Sequence, residues 1–347
     1  MNNCDLKNLI KSFSDLNGVS GYEQDNARFA EEMFLKYTDD VKINTLGSIT
    51  ALRKNDFGIE NPKKIMIEAH IDEIGLMVSD IDDKGFLKFV PVGGIDARIL
   101  PSLEVVVHGK KDVVGIIGSK PPHILTDGEK DTALGMNKLY IDTGYSAEEV
   151  KKIVSIGDTA TFYNEFTELK GDYISTKAQD DRTSCAVLVL VLDMLKNTKL
   201  PFDVYFTMNV QEEVGLRGAK TTAYDINPDY AIAIDVCHGS TPDASSLGTV
   251  KCSSGAVVTK GPNIHKGFLK KLLNALDNKN IPYNIEAAGG DTGTDAWAIQ
   301  TAREGVPTIL LSLPLKYMHT PVETLSVTDV KTLAEAICAL LTSEEEF

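Results

Sequence analysis

The sequence predicts an α/β fold: a mixed, mostly parallel sheet flanked by helices, interrupted by a β-rich, barrel-like insert. Three observations predict it. Strand-like and helix-like segments alternate in the last half of the chain, as in sheets whose crossovers are helices. From Ile74 to about Phe166, short apolar runs are broken by Gly and Pro, and no long helix is evident. The length, 347 residues, suits two domains of the usual ~100–200 residues.

The elements follow in order. Leu6, Leu9, Ile10 and Phe13 recur at helical spacing, and Phe29, Met33 and Phe34 do so after the SGYEQD turn. VKINTLGSITALRK reads as a hairpin turning at Leu46-Gly47-Ser48, and KIMIEAH as a buried strand ending at His70. The insert contains GLMVSDI, FLKFVPV, EVVVHGK, VVGIIGS and TATFYN, with one short helix at SAEEVKKIV. After Gly171, a helix over 183–195 leads to strand DVYFTMNV and helix LRGAKTTAYDI. Strand YAIAIDV, helix HKGFLKKLLNAL, strands PYNIEAA and PTILLSL, and helix VTDVKTLAEAICALL complete it. Residues 1–73 and 167–347 are thus expected to form two parts of one domain, and residues 74–166 an insert. The acidic tail SEEEF reads as solvated.

Composition narrows the function. With 43% hydrophobic and 24% charged residues, the chain has the make-up of an ordinary globular protein. Lys and Arg total 35 against 50 Asp and Glu, a formal charge of −15. Such a chain repels phosphate backbones and anionic lipid, which argues against nucleic-acid and membrane partners. The longest apolar run, Cys185 to Leu192, is far short of the ~20 residues a membrane span needs. Five scattered cysteines without CxxC spacing point to reduced thiols in a cytoplasmic setting, and the amino-terminal stretch has no signal-peptide pattern.

Polar clusters at or just past strand ends carry the candidate chemistry: His70 with Asp72, Asp180-Asp181, Glu212-Glu213, Asp235 and His319. In open α/β sheets, ligands gather beyond the carboxyl ends of strands. Each cluster alone has a plain alternative. His70 is either a metal ligand whose other ring nitrogen is held by Asp72, or a His paired structurally with an Asp. Asp181 could cap the following helix, with Asp180 in the turn. Of the adjacent Glu212 and Glu213, only one is expected to reach a buried position cheaply, because neighbouring side chains point apart, and a solvated loop is the plain alternative. Asp235 closes AIAID and His319 sits in a loop, both common structural places. His108, His123, His238 and His265 lack such context and read as surface or core residues. Taken together, two His, two Asp and a Glu offer the mixed N/O donors that zinc, cobalt or manganese accept, with a spare Glu as proton acceptor for hydrolysis.

The segments EAHIDEIGLMV, VGGIDAR, AQDDR, QEEVGLRGA, AIDV, GTDA and YMHTPVET run nearly end to end. Through them the chain resembles the TET-type aminopeptidases, which include glutamyl, lysyl, leucyl and deblocking enzymes. Members are sometimes labelled cellulase or endoglucanase. The resemblance implies a zinc-peptidase α/β catalytic domain and a β insert that helps assemble dimers into a hollow dodecamer. It implies two divalent ions, zinc or cobalt, bridged by Asp180. His70 and Asp235 complete one site, Glu213 and His319 the other. Glu212 is the implied general base and Asp72 the residue that orients His70. The implied activity is removal of the amino-terminal residue of short peptides. A deblocking peptidase on the same site is the alternative, and an endoglucanase a more distant one. GGDTGTDA is either a glycine loop beside the substrate or a turn with a helix cap at Thr294. Lys316, Thr320 and Ser184 depart from the residues common at their places in the family, which bears on loop positioning and substrate preference.

Overall fold

The computed structural model describes residues 1–124, 134–244 and 248–343, so the acidic tail from residue 344 lies outside the described residues. Its centre is an eight-stranded mixed sheet. From one edge to the other the strands are Val41–Ile43, Ile49–Arg53, Asp203–Asn209, Lys64–His70, Tyr230–His238, Thr308–Leu315, Ala256–Lys260 and Tyr283–Ala287. Four neighbouring strands in the middle, from Asp203–Asn209 to Thr308–Leu315, run parallel. Their residues are buried on both faces: Ile65, Met66 and Ile67 are all inaccessible, and Thr308–Leu315 is buried throughout. A sheet wetted on one side would alternate instead, so helices must cover both faces.

The longer helices are the expected ones, and the short Asp295–Ile299 follows the helix-cap alternative for GGDTGTDA. Gln179–Leu195 packs against the central strands and against Asn3–Ser14 and Val327–Leu341, while Arg217–Ile226 and Asp295–Ile299 form a second packed pair on the sheet. Among the described residues, no helix is long and apolar enough to cross a membrane. All five cysteines are free.

A closed six-stranded barrel interrupts this sheet. Its order is Gly75–Ile81, Leu87–Val92, Tyr140–Asp142, Asp112–Gly118, Glu104–His108 and Thr159–Phe162. Leu76, Val78, Leu87, Val105, Val107 and Ile141 belong to a core of its own, separate from that of the large sheet. Alternation in Asp112–Gly118, where Val113 and Ile117 are buried and Val114 and Ile116 exposed, is that of a barrel wall.

Several elements go beyond the sequence expectation. The strand Ala256–Lys260 was not anticipated, and neither was Tyr140–Asp142. A small sheet of Thr167–Glu168, Tyr173–Thr176 and Glu323–Ser326 was also not anticipated. It ties the segment before Asp180 to the segment after His319.

Candidate metal centre

The parallel strands bring the candidates together. Asn209 pairs with His70 in register, so the chain leaving Asp203–Asn209 delivers Glu212 and Glu213 beside the end of Lys64–His70. Asp235 stands on the next strand. It does not close that strand, as the sequence suggested, but precedes its end by three residues, because Val236 to His238 continue to pair with Leu313 to Leu315. Asp180 enters from the mouth of Gln179–Leu195, where Asp180 (φ −79°, ψ 105°) and Asp181 (φ −118°, ψ 26°) leave helical geometry. His319 comes from the loop before Glu323–Ser326. The backbone is left-handed at Ala178, Gln211, Tyr317 and His319 (φ 54°, 59°, 59° and 60°), an uncommon conformation without glycine. All four lie at, or within two residues of, a candidate.

His70, Asp180, Glu212, Glu213, Asp235 and His319 face one cavity of about 370 Å³. Asp180 lies between the imidazoles: His70 Nε2 is 3.1 Å from its Oδ1, and His319 Nε2 is 3.2 Å from its Oδ2. His319 Nε2 is also 3.3 Å from Glu213 Oε1. Donor atoms of His70, Asp180 and Glu213 lie within 4.8 Å of one another, as do those of His70, Asp181 and Asp235. Both glutamate side chains turn inward: Glu212 is buried, 8% exposed, and Glu213, intermediate as a whole residue, has a side chain only 6% exposed.

The surroundings orient these groups. Asp72 Oδ1 lies 3.5 Å from His70 Nδ1, which has no closer partner. The same carboxylate accepts the amides of Glu212 (3.0 Å) and Glu213 (3.2 Å) and the Ser20 hydroxyl. Burial pushes the Asp72 carboxyl up, but the bonds from His70, Ser20 and the Glu212 amide outweigh it and hold it below its usual range. His319 Nδ1 is 2.7 Å from the Gly94 carbonyl, in the VGGIDAR turn that follows the barrel strand Leu87–Val92. Glu323, 2% exposed, accepts the Asp180 amide (3.1 Å) on one oxygen and the His319 amide (2.8 Å) on the other.

Asp181 is not a helix cap. It is fully buried, and its Oδ2 accepts the His70 amide at 3.3 Å. Burial, reinforced by Asp235, drives its carboxyl well above its usual range. The same crowding raises Asp235, chiefly through burial and then through Asp180. Glu212 is pushed up to about 11 by burial, with Asp235, Asp295 and Glu213 adding to it. His319 loses basicity to burial, but Asp180 and Glu213 more than reverse this and take it to about 11.

Of the remaining histidines, His238 borders the same cavity and the others do not. His108 bonds Asp112 and Thr161, and His265 accepts the Phe268 amide as the cap of Lys266–Lys279. His123 and His238 are exposed, the latter on the cavity wall. In GGDTGTDA, Thr294 takes the N-cap position of Asp295–Ile299 without a side-chain capping bond, and Asp291 to Thr294 line the cavity.

Residues 47–335 match the family described as M42 glutamyl aminopeptidase. The chain belongs to the M42 aminopeptidase family. A lysyl aminopeptidase of Pyrococcus furiosus is 32% identical over 338 residues, covering 96% of each chain. The structure of aminopeptidase APDkam598 from Desulfurococcus kamchatkensis superposes with a TM-score of 0.91 at 35% identity, covering 98% of this chain and 95% of that one. The TET1 peptidase of Pyrococcus horikoshii, described as assembling into a tetrahedron or a large octahedral shell, gives 0.85 at 33% identity, covering 97% and 99%. The resemblance drawn from the sequence motifs therefore holds over nearly the whole chain.

The motifs did not reveal Glu323, the support given by Asp181 or the contact of Gly94 with His319. Glu323 was within a quoted motif, YMHTPVET, but the short strand it opens, ETLS, is mostly polar in sequence and gave no sign of burial.

Proposed function

We propose that this chain is a dinuclear metallo-aminopeptidase that removes the first residue of short peptides, with Glu212 as general base. In this reading His70, Asp180 and Asp235 hold one divalent ion, zinc or cobalt. Asp180, Glu213 and His319 hold the other. The observation that carries it is Asp180, whose two oxygens each face a different imidazole Nε2.

The donor set fits such ions. His70 and His319 each turn Nδ1 toward an oxygen, from Asp72 and Gly94, which favours the tautomer with Nε2 bare for a cation. Asp180, Asp181, Glu212, Glu213 and Asp235 crowd into one place with little access to water, and burying that many carboxylates is costly without positive charge among them. Nearby cations would also pull Glu212 down into the ionised form that a base needs.

Bound there, the ions would supply Lewis-acid polarisation of the scissile carbonyl and acidify the attacking water. The chain's own groups do the rest. Glu212 has no hydrogen-bond partner for its carboxylate among the described residues and faces the cavity, so it is free to take the proton of the attacking water. It then returns that proton to the departing amine. Asp72 holds Glu212 and Glu213 by their amides and His70 by its ring, fixing base and ligands in one frame. Asp181 supports His70 from behind. The acidic wall favours a substrate's free α-ammonium, which confines cleavage to the first residue.

Residues 74–166 are, in this account, the assembly insert of a dodecamer built from dimers, and 1–73 with 167–347 the catalytic domain. Support comes from the separate core of the barrel, from exposed Val90, Val114 and Ile116 on its wall, and from the tetrahedral assembly described for the relative TET1 peptidase. A cytoplasmic location agrees with five free thiols.

The test offers one metal-loaded sample a free-amine peptide, its acetylated form and soluble β-glucan. Release of single amino-terminal residues from the free-amine peptide, abolished by chelator, is expected. Chelator-insensitive cleavage of the glucan with no amino acid released overturns the reading. Rapid removal of the acetylated residue keeps the metal mechanism and shifts the enzyme to the deblocking class.

A further inference from the structure

We infer that Glu286 selects a long, cationic first side chain, that of lysine or arginine. The inference rests on the aminopeptidase reading of the cavity, whose family description and relatives bear both glutamyl and lysyl names and so leave the choice open.

The cavity does not end at the proposed ligands. It continues past Leu310 and Ser312 to Glu286 and Asp291. Glu286 lies on Tyr283–Ala287, the outermost strand, in register with Thr259. Three strand spacings, together about 14 Å, separate that strand from the one bearing Asp235. Two side chains must close this gap, Glu286 from the outer wall and the substrate's from the metal side. The four-carbon stem of lysine or the longer arginine can do so, whereas a short side chain leaves the gap open.

Charge points the same way. Among the described residues, no lysine or arginine lines the cavity. Asp180, Glu212, Glu213 and Asp235 belong to the proposed metal centre, where the divalent ions would offset their charge. Glu286 and Asp291 lie outside that set. Asp291 is engaged in a turn, accepting the Gly293 amide at 2.9 Å. Glu286 is half-buried. It has no ion-pair partner among the described residues, and its one hydrogen bond is a long 3.4 Å contact from the Thr259 hydroxyl. A half-buried carboxylate on a wall that no described lysine or arginine shares gains most from a ligand that brings a cation, and it repels an acidic side chain.

The experiment compares Lys, Arg, Leu and Glu p-nitroanilides on the metal-loaded wild type, Glu286→Gln and Glu286→Lys. Wild type is expected to give its highest kcat/KM with Lys and Arg. Glu286→Gln should lower the Lys-to-Leu ratio about 10- to 100-fold, mainly through KM for Lys, as loss of one charge-assisted bond predicts. Glu286→Lys should turn the preference toward Glu. A wild type that prefers Leu or Glu to Lys overturns the proposal, and so does an equal loss on all four substrates with Glu286→Gln. If no anilide is cut, the aminopeptidase reading fails instead. Titration calorimetry with free lysine and free glutamate then decides on the same sample: lysine should bind at least about tenfold more tightly, and equal binding overturns the selectivity.

Discussion

Glu323→Gln should weaken metal binding while leaving the chain folded. Both Glu323 oxygens accept backbone N–H groups, one from Asp180 and one from His319, and the residue is 2% exposed. Glutamine keeps one oxygen and replaces the other with an NH2 group, which must face an amide N–H. One bond is lost, and a buried donor is left without an acceptor, a cost of about 1–3 kcal/mol. A chain of this size tolerates that with a melting shift of a few degrees. The larger effect falls on the two proposed ligands, whose backbones are no longer tied to one carboxylate. Loss of such support typically costs about 10–100-fold in metal affinity. Competition against a chromophoric chelator measures it, with kcat followed as metal is added back. Weakened affinity, with turnover largely recovered at saturating metal, is expected. Unchanged affinity, or a turnover loss that metal does not repair, refutes the positioning role.

Glu212→Gln should retain metal and fold but lose about 10²–10⁴ in turnover, because an amide cannot take the proton, whereas Glu213→Gln should lower metal content; exchanged phenotypes would exchange the two roles. Gly94→Ala places a Cβ 3.0 Å from His319 Nδ1, so the ring must move by a few tenths of an ångström, and metal affinity should fall about tenfold or more. Calorimetric titration of metal into the stripped variant checks this, and wild-type affinity would count against orientation by the barrel turn. Replacing the barrel by a short linker should abolish the proposed dodecamer in light scattering, and an assembly left unchanged would remove the barrel's assembly role.

Much of the fold was legible because the central strands are continuous apolar runs between helical repeats. KIMIEAH ends at His70 in the structure as its pattern suggests. Ala256–Lys260 was missed because GAVVTK is short, buried and flanked by polar stretches, leaving no period to read. The strands of the small sheet are only two to four residues long and acquire meaning only by pairing across the chain. At the site, residue types were legible and their supports were not. Asp181 followed a local rule for helix caps, yet packing of the helix against Lys64–His70 turns it toward the His70 amide. Gly94 lies 225 residues from His319, and nothing local couples them. The acceptor role of Glu323 depends on backbone directions set by tertiary pairing. Glu286, in the half-exposed strand YNIEA, carries no sequence mark that it borders the cavity.

The central claim is a pair of divalent ions sharing Asp180. Metal content after dialysis, measured by inductively coupled plasma mass spectrometry on wild type and Asp180→Ala, tests it most directly. Wild type should hold two ions per chain, and the variant should lose ions at both positions. A variant that keeps two tightly held ions would contradict it.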